Sequence, residues 1–182
     1  MIDLEAKPRC HASRHDLYQE ATAAHGAALG RLARSYEADP DKRQDLLQEI
    51  HLGVWRSLER FDGRCSLRTW VYRVAHNVAT SHVISHRRQR SREWVSLEAL
   101  DAMPDHGDAE AVDRELMLDE LHALIHQLEP PDRQLMLLYL EGLDAASIGE
   151  ITGLSPSNVA TRIHRLKRVM ARRVRHGGRR EQ

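Results

Sequence analysis

The 182-residue sequence predicts an all-α chain of two helical domains, a three- to four-helix bundle and a helix-turn-helix unit, joined by a flexible acidic linker. Three observations carry that expectation. Aromatic residues make up only 4% while Leu, Ala, Arg and Glu abound, which suits helices better than strands. Apolar residues recur at spacings of three and four over several long stretches. Charge is segregated although the formal total is zero. Arg60 to Arg92 holds eight Arg against Asp62 alone, Glu93 to Glu120 holds ten acids against Arg114, and Arg162 to Gln182 holds nine Lys and Arg against Glu181. Two basic blocks flank an acidic one, and basic blocks of this size point to anionic partners.

The elements follow in order. An Ala-rich helix is expected at about Tyr18 to Tyr36, marked by Leu29 and Leu32. Pro40 in "EADPDK" stops it and starts a second helix over about Asp41 to Arg60. There Leu46, Leu47, Ile50, Val54, Trp55 and Leu58 form the apolar stripe, with Asp45, Gln48, Glu49 and Arg56 off it. After "RFDGRCS", Ser66 can cap a third helix with Leu67, Trp70, Val71, Val74, Ala75 and Val78 inward. Its other face is expected to present Arg68, Arg73, His76 and Asn77. Trp70 offers a stacking ring, but its spacing favours the core. Residues 15–92 thus make the first domain, 93–113 a linker with Pro104, Gly107 and few apolar anchors, and 114–176 the second domain.

The second domain ends in "ASIGEITGLSPSNVATRIHRLKR". Gly153 suits a residue leaving a helix with positive φ, Ser155 is a natural N-cap, and Pro156 fits the first helical position. Val159, Ile163, Leu166 and Met170 face inward, which leaves Ser157, Asn158, Thr161, Arg162 and Arg165 on the opposite side. This is the pattern of a recognition helix, in which Arg pairs with guanine and Asn with adenine in the major groove. Arg168, Arg172, Arg173 and Arg175 extend the basic face toward phosphates.

These segments resemble the extracytoplasmic function (ECF, group IV) sigma factors of bacterial RNA polymerase. "DLLQEIHLGVWRSLERFDGRCSLRTWVYRVAHNVATSHVISHRRQ" is similar to the family's region 2, and "DRQLMLLYLEGLDAASIGEITGLSPSNVATRIHRLKRVM" to its region 4. The resemblance implies three surfaces. Asp45, Gln48, Glu49 and Leu52 would dock on core RNA polymerase, at the clamp coiled coil of its largest subunit. Asp62, Arg64, Ser66, Arg68, Arg73, His76 and Asn77, around the loop that holds Gly63 and Cys65, would handle the minus-10 element of promoter DNA. Ser157, Asn158, Thr161, Arg162 and Arg165 would read the minus-35 element as duplex. It also implies an anti-sigma factor or other regulatory partner. The chain departs from the family's usual pattern at His51, Gly53 and "DAAS".

Other function classes find little support. GxSxG and GxxxxGK[ST] signatures are missing, so no enzyme activity and no cofactor are expected. No apolar run reaches eighteen residues, and the charged start "MIDLEAKPRCHASRHDLYQE" suits neither span nor signal, so a cytoplasmic location is expected. Cys10 and Cys65 read as free thiols. His82 with His86, and His122 with His126, have the four-residue spacing of a metal pair but lack further ligands; solvated helix faces are expected. Cys10, His11 and His15 cluster near the start and also fall short of a closed four-ligand site, so no metal is expected. A stand-alone helix-turn-helix regulator is the alternative reading.

Overall fold

The computed structural model describes residues 13–86, 95–102 and 114–174, and its described elements are helical. The first, α1 (Arg14–Tyr36), opens on a capping box: the Ser13 hydroxyl accepts from the Asp16 N–H at 3.2 Å and the Asp16 carboxylate accepts from the Ser13 N–H at 3.0 Å. Asp39 then caps α2 (Pro40–Ser57), accepting from the N–H groups of Asp41 and Lys42, with Pro40 at the first helical position as expected. Arg43 donates back to the carbonyls of Glu37 and Ala38, which stitches the α1–α2 turn. A 3-10 turn at Leu58–Arg60 ends this arm, so the second helix is α-helical only as far as Ser57. Ser66 caps α3 (Leu67–His86) through the Thr69 N–H at 3.0 Å.

These three helices pack mutually. Leu29, Leu32, Tyr36, Leu46, Ile50, Val54, Leu58, Val71 and Ala75 are buried at their centre, and each large apolar side chain contributes roughly 2 kcal/mol. Gly53 has a steric reason for its place in α2: a Cβ there would stand 2.9 Å from Val78 Cγ2 on α3. Trp70 is half-buried, donates from Nε1 to Ser57 Oγ at 2.9 Å and meets Phe61 edge-on, so its role is packing.

The C-terminal helices are α5 (Arg114–Gln127), α6 (Pro130–Leu140), α7 (Ala145–Thr152) and α8 (Pro156–Val174). Their shared core holds Ile125, Leu128, Leu135, Leu138, Ile148, Val159, Leu166 and Val169. The α7–α8 turn matches its sequence signals. Gly153 sits at φ +79°, and Ser155 Oγ accepts from the Asn158 N–H at 3.3 Å. Gly149 supplies what those signals did not reveal: a Cβ there would lie 2.7 Å from the Leu154 carbonyl oxygen, so only glycine lets α7 approach the turn.

The 93–113 segment, read from the sequence as a linker, carries an element that the sequence reading did not name. Part of it forms a further helix, α4 (Leu97–Ala102), docked on α8 through buried Leu97 and Leu100. The Val95 N–H donates to the Gln127 carbonyl at 2.8 Å and fixes its entry. Two leucines in a short acidic stretch give too brief a periodic signal to announce a helix.

The glycines make a paired test. Gly149→Ala should destabilise the C-terminal helices by about 1–3 kcal/mol through the overpacked turn. Gly26→Ala, which meets nothing within 4 Å in α1, should stabilise by about 0.5–1 kcal/mol. Urea unfolding midpoints of the two variants should therefore move in opposite directions.

Candidate nucleic-acid interface

Three faces carry the residues singled out from the sequence. On α2, Asp45, Gln48, Glu49 and Leu52 fall at i, i+3, i+4 and i+7 and all are exposed. Leu52 leaves 47% of its surface outside, one of few large apolar side chains so placed. The exposed leucine stands next to Gln48 and Glu49, with Asp45 one turn further back, so apolar and acidic surface adjoin on this face.

The second face starts at the loop before α3. Asp62 accepts from the Arg64 N–H and pairs with its guanidinium at 3.1 Å, both side chains largely exposed. Ser66 is committed to capping α3. Arg68 and Arg73 point from α3 toward the C-terminal helices. Arg68 donates to the Glu141 carbonyl at 3.3 Å and Arg73 to the Glu150 carbonyl. Asn77 is exposed near Glu49 and His82.

His76 departs from expectation. Placed by sequence on the exposed side with Arg73 and Asn77, it is instead buried to 1% and lies against Tyr36, whose hydroxyl is 3.2 Å from its Nδ1. The cause is that α3 is covered on two sides. Val71 and Ala75 face the bundle, while Tyr72 and His76 line a cavity of about 220 Å³ shared with Leu121, Ile125 and Leu137 of the C-terminal helices. Burial drives the imidazole down to about 3 and the Tyr36 phenol up to about 12.

The third face is α8. Ser157, Asn158 and Thr161 are exposed, whereas Arg162 and Arg165 are held from within the chain. Arg162 Nη2 donates to buried Asp132 at 2.6 Å. Arg165 meets Glu98 at 2.7 Å and Asp101 at 3.5 Å; Asp101 also takes Arg168 at 3.2 Å and Arg172. The Arg172 hydrogen bond and the three guanidinium charges hold the Asp101 carboxyl below its usual range.

The two halves of the chain touch. Arg31 on α1 makes a bidentate pair with Glu141 at 2.6 and 2.7 Å, and α7 lies against α3. Deeper in, buried Arg133 donates to the carbonyls of His126 and Leu128 and stands 5.3 Å over the Tyr36 ring. Arg31, Arg133, Asp132, Glu141 and Glu150 were not singled out from the sequence. Asp132, in the first turn after two prolines, had a local helix-start signal. Arg31, Glu141 and Glu150 find partners through the tertiary fold alone, while Arg133 closes the local α5–α6 turn as well as reaching Tyr36.

No group of three or more His, Cys, Asp or Glu suited to a metal occurs among the described residues. His82 lies buried between Glu37 and Glu49, at 3.6 and 3.4 Å, in place of the solvated face expected. His122 is exposed. His15 packs edge-on to Trp55, while Cys10 and His11 lie outside the described residues. No described helix is long and apolar enough to cross a membrane.

Comparison with known proteins agrees with this two-part layout. Residues 22–92 match the family described as Sigma-70 region 2, and residues 118–170 match Sigma-70, region 4. The chain is 30% identical over 150 residues to the RNA polymerase sigma-H factor of Pseudomonas aeruginosa, covering 78% of this chain and 77% of that one. It is 31% identical over 137 residues to the ECF RNA polymerase sigma factor SigC of Mycobacterium tuberculosis, covering 73% and 70%. Among solved structures, CnrH in complex with the cytosolic domain of CnrY aligns with a TM-score of 0.58 at 21% identity, over 85% of this chain and 84% of that one. The sigma factor RpoE in complex with the anti-sigma factor NepR, from Bartonella quintana, aligns with a TM-score of 0.59 at 20% identity, over 86% and 97%.

The buried imidazole sets a pH dependence. His76 is neutral in the fold and protonates on unfolding, so stability is full above about pH 6.5 and falls as pH drops toward 3. His25 and His51, both lowered by burial, act in the same direction. Urea midpoints measured from pH 7.5 to 4.5 should fall steadily. In His76→Asn the slope should be shallower by up to about 1.4 kcal/mol per pH unit.

Proposed function

The chain belongs to the sigma-70 family, in its extracytoplasmic function class, and from that premise we propose how its three faces divide the work of transcription initiation. As a sigma factor it binds core RNA polymerase and directs promoter recognition. The observation that carries the reading is the presence of both sigma regions, in order, on one chain.

The α2 face of Asp45, Gln48, Glu49 and Leu52 is the proposed polymerase dock. Its support is the exposed leucine at the end of a polar stripe with two carboxylates on a well-packed helix. Asp62, Arg64, Arg68, Arg73 and Asn77 are the proposed minus-10 contacts, with Ser66 fixing the start of α3 beneath them. Exposed Asp62, Arg64 and Asn77 are ready for a displaced base, while Arg68 and Arg73 supply cations for its backbone. His76 acts there through the packing of α3. Opening the duplex then needs no covalent step: a surface that holds the open strand better than the duplex shifts the equilibrium toward it. Ser157, Asn158, Thr161, Arg162 and Arg165 are the proposed minus-35 readers.

Simultaneous use of both DNA faces requires the halves to separate. The two elements lie about 25 base pairs apart, or about 85 Å along the helix axis, whereas α3 and α7 are in contact. The interface is suited to release: its ion pair involves the half-exposed Arg31, worth about 0–1 kcal/mol, and a cavity remains beside it. A partner that grips both halves would keep the chain closed, and an anti-sigma factor is the proposed regulator of this kind. The place of action is the cytoplasm, where polymerase works.

Two measurements test the assignment. Asp45→Arg with Glu49→Arg should weaken binding to core polymerase at least about tenfold, or about 1.4 kcal/mol, in a fluorescence anisotropy titration; unchanged affinity would remove α2 as the dock. With polymerase present, Asn158→Ala should lower discrimination among minus-35 sequences by about 1–3 kcal/mol in competitive initiation assays. Tight sequence-specific DNA binding by the chain alone, with no binding to core enzyme, would favour a stand-alone regulator.

A further inference from the structure

Asn158, Thr161, Arg162, Arg165, Arg168 and Arg172 share one face of α8, each lying three or four positions from another of the set. At the N-terminal end of that face Asn158 and Thr161 are open and Arg162 is held by Asp132. The C-terminal half of the face is covered by α4, with Asp101 at the meeting point of Arg165, Arg168 and Arg172, and Glu98 on Arg165. One carboxylate among three guanidiniums repeats what a DNA phosphate would offer at the same place.

We infer that α4 is an internal substitute for the DNA backbone, occupying the phosphate-binding half of α8 until promoter DNA displaces it. The inference rests on α8 being the minus-35 reader and adds a means of regulating it. The attachment of α4 fits displacement. A six-residue helix has little stability of its own, and this one is held by Leu97, Leu100, the Val95–Gln127 hydrogen bond and the Arg173 bond to the Leu100 carbonyl. Of its two carboxylates, Glu98 lies at the edge with its side chain 71% exposed, and Asp101 is more enclosed at 22%. A duplex brings a continuous row of phosphates against two carboxylates, so it wins at low salt and loses its advantage as salt rises. The chain alone then binds stray DNA poorly, and binding is concentrated where the remaining contacts of the promoter complex add to it.

The test uses the full chain and a fluorescein-labelled mixed-sequence duplex, followed by anisotropy over a range of salt. Glu98→Gln with Asp101→Asn frees the arginines and keeps side-chain size. Expected are duplex binding tighter by about fivefold and a log K against log[salt] slope steeper by about 2, one for each carboxylate removed. Capture of core polymerase should be unchanged. Glu98→Gln alone, at an exposed position that makes one ion pair, should give about a twofold gain and guards against misfolding of the double variant. Equal or weaker duplex binding by both variants, with circular dichroism unchanged, overturns the inference and leaves the sigma-factor reading intact. Loss of polymerase capture by the unmodified chain would strike that reading, while the duplex titration still decides the role of α4.

Discussion

Arginines drawn together on one surface repel one another and seek anions, and this chain satisfies that demand internally wherever its basic faces are covered. Arg31 finds Glu141, Arg73 the Glu150 carbonyl, Arg162 the Asp132 carboxylate, and Arg165, Arg168 and Arg172 share Asp101. The zero formal charge is the sum of these complementary blocks. Of these, Arg31 and Arg73 link the two halves, whereas Arg162, Arg165, Arg168 and Arg172 are paired within the C-terminal half. The contacts between the halves are few, and their exposed ion pair is weak and screened by salt, so they favour a closed chain without locking it. On the proposed assignment, internal partners and DNA compete for the guanidiniums of Arg73, Arg162 and Arg165.

Beneath this exchangeable layer lies a fixed one. Tyr36 joins the two halves, with its hydroxyl at His76 and its ring under the Arg133 guanidinium. Arg133 in turn closes the turn between α5 and α6 through two carbonyls. Burial lowers the proton affinity of the Arg133 guanidinium, the nearby phenol opposing this, and holds the His76 imidazole neutral. The node gives the halves a preferred register when closed. The adjoining cavity shows that the surrounding surfaces do not interlock as a single core does.

Much of this was legible in the sequence. Leu46, Ile50 and Val54 repeat at helical spacing and are buried, and "GLSPSN" spells out a left-handed cap, an N-cap and a first-turn proline that all occur. The exposed stripe on α2 was readable because its polar residues fall opposite the leucines. His76 was misplaced because local periodicity assigns α3 one buried face, whereas a second half of the chain covers another. The docking of α4 was hidden for a related reason: its hold depends on charges about 70 positions away. Gly149 was unreadable because its neighbour is a carbonyl brought close by the turn.

The central claim is that one set of arginines serves a closed chain and an open one. It is tested most directly by a distance between the halves, using spin labels on cysteines placed at exposed Ser81 on α3 and exposed Ala171 on α8 in a chain whose Cys10 and Cys65 are replaced by serine. The account predicts one narrow distance in the free chain at low salt, lengthening by tens of ångströms, at about 3.4 Å per base pair spanned, in the complex with polymerase and promoter. A free chain that already shows the long distance, or a complex that keeps the short one, would contradict it.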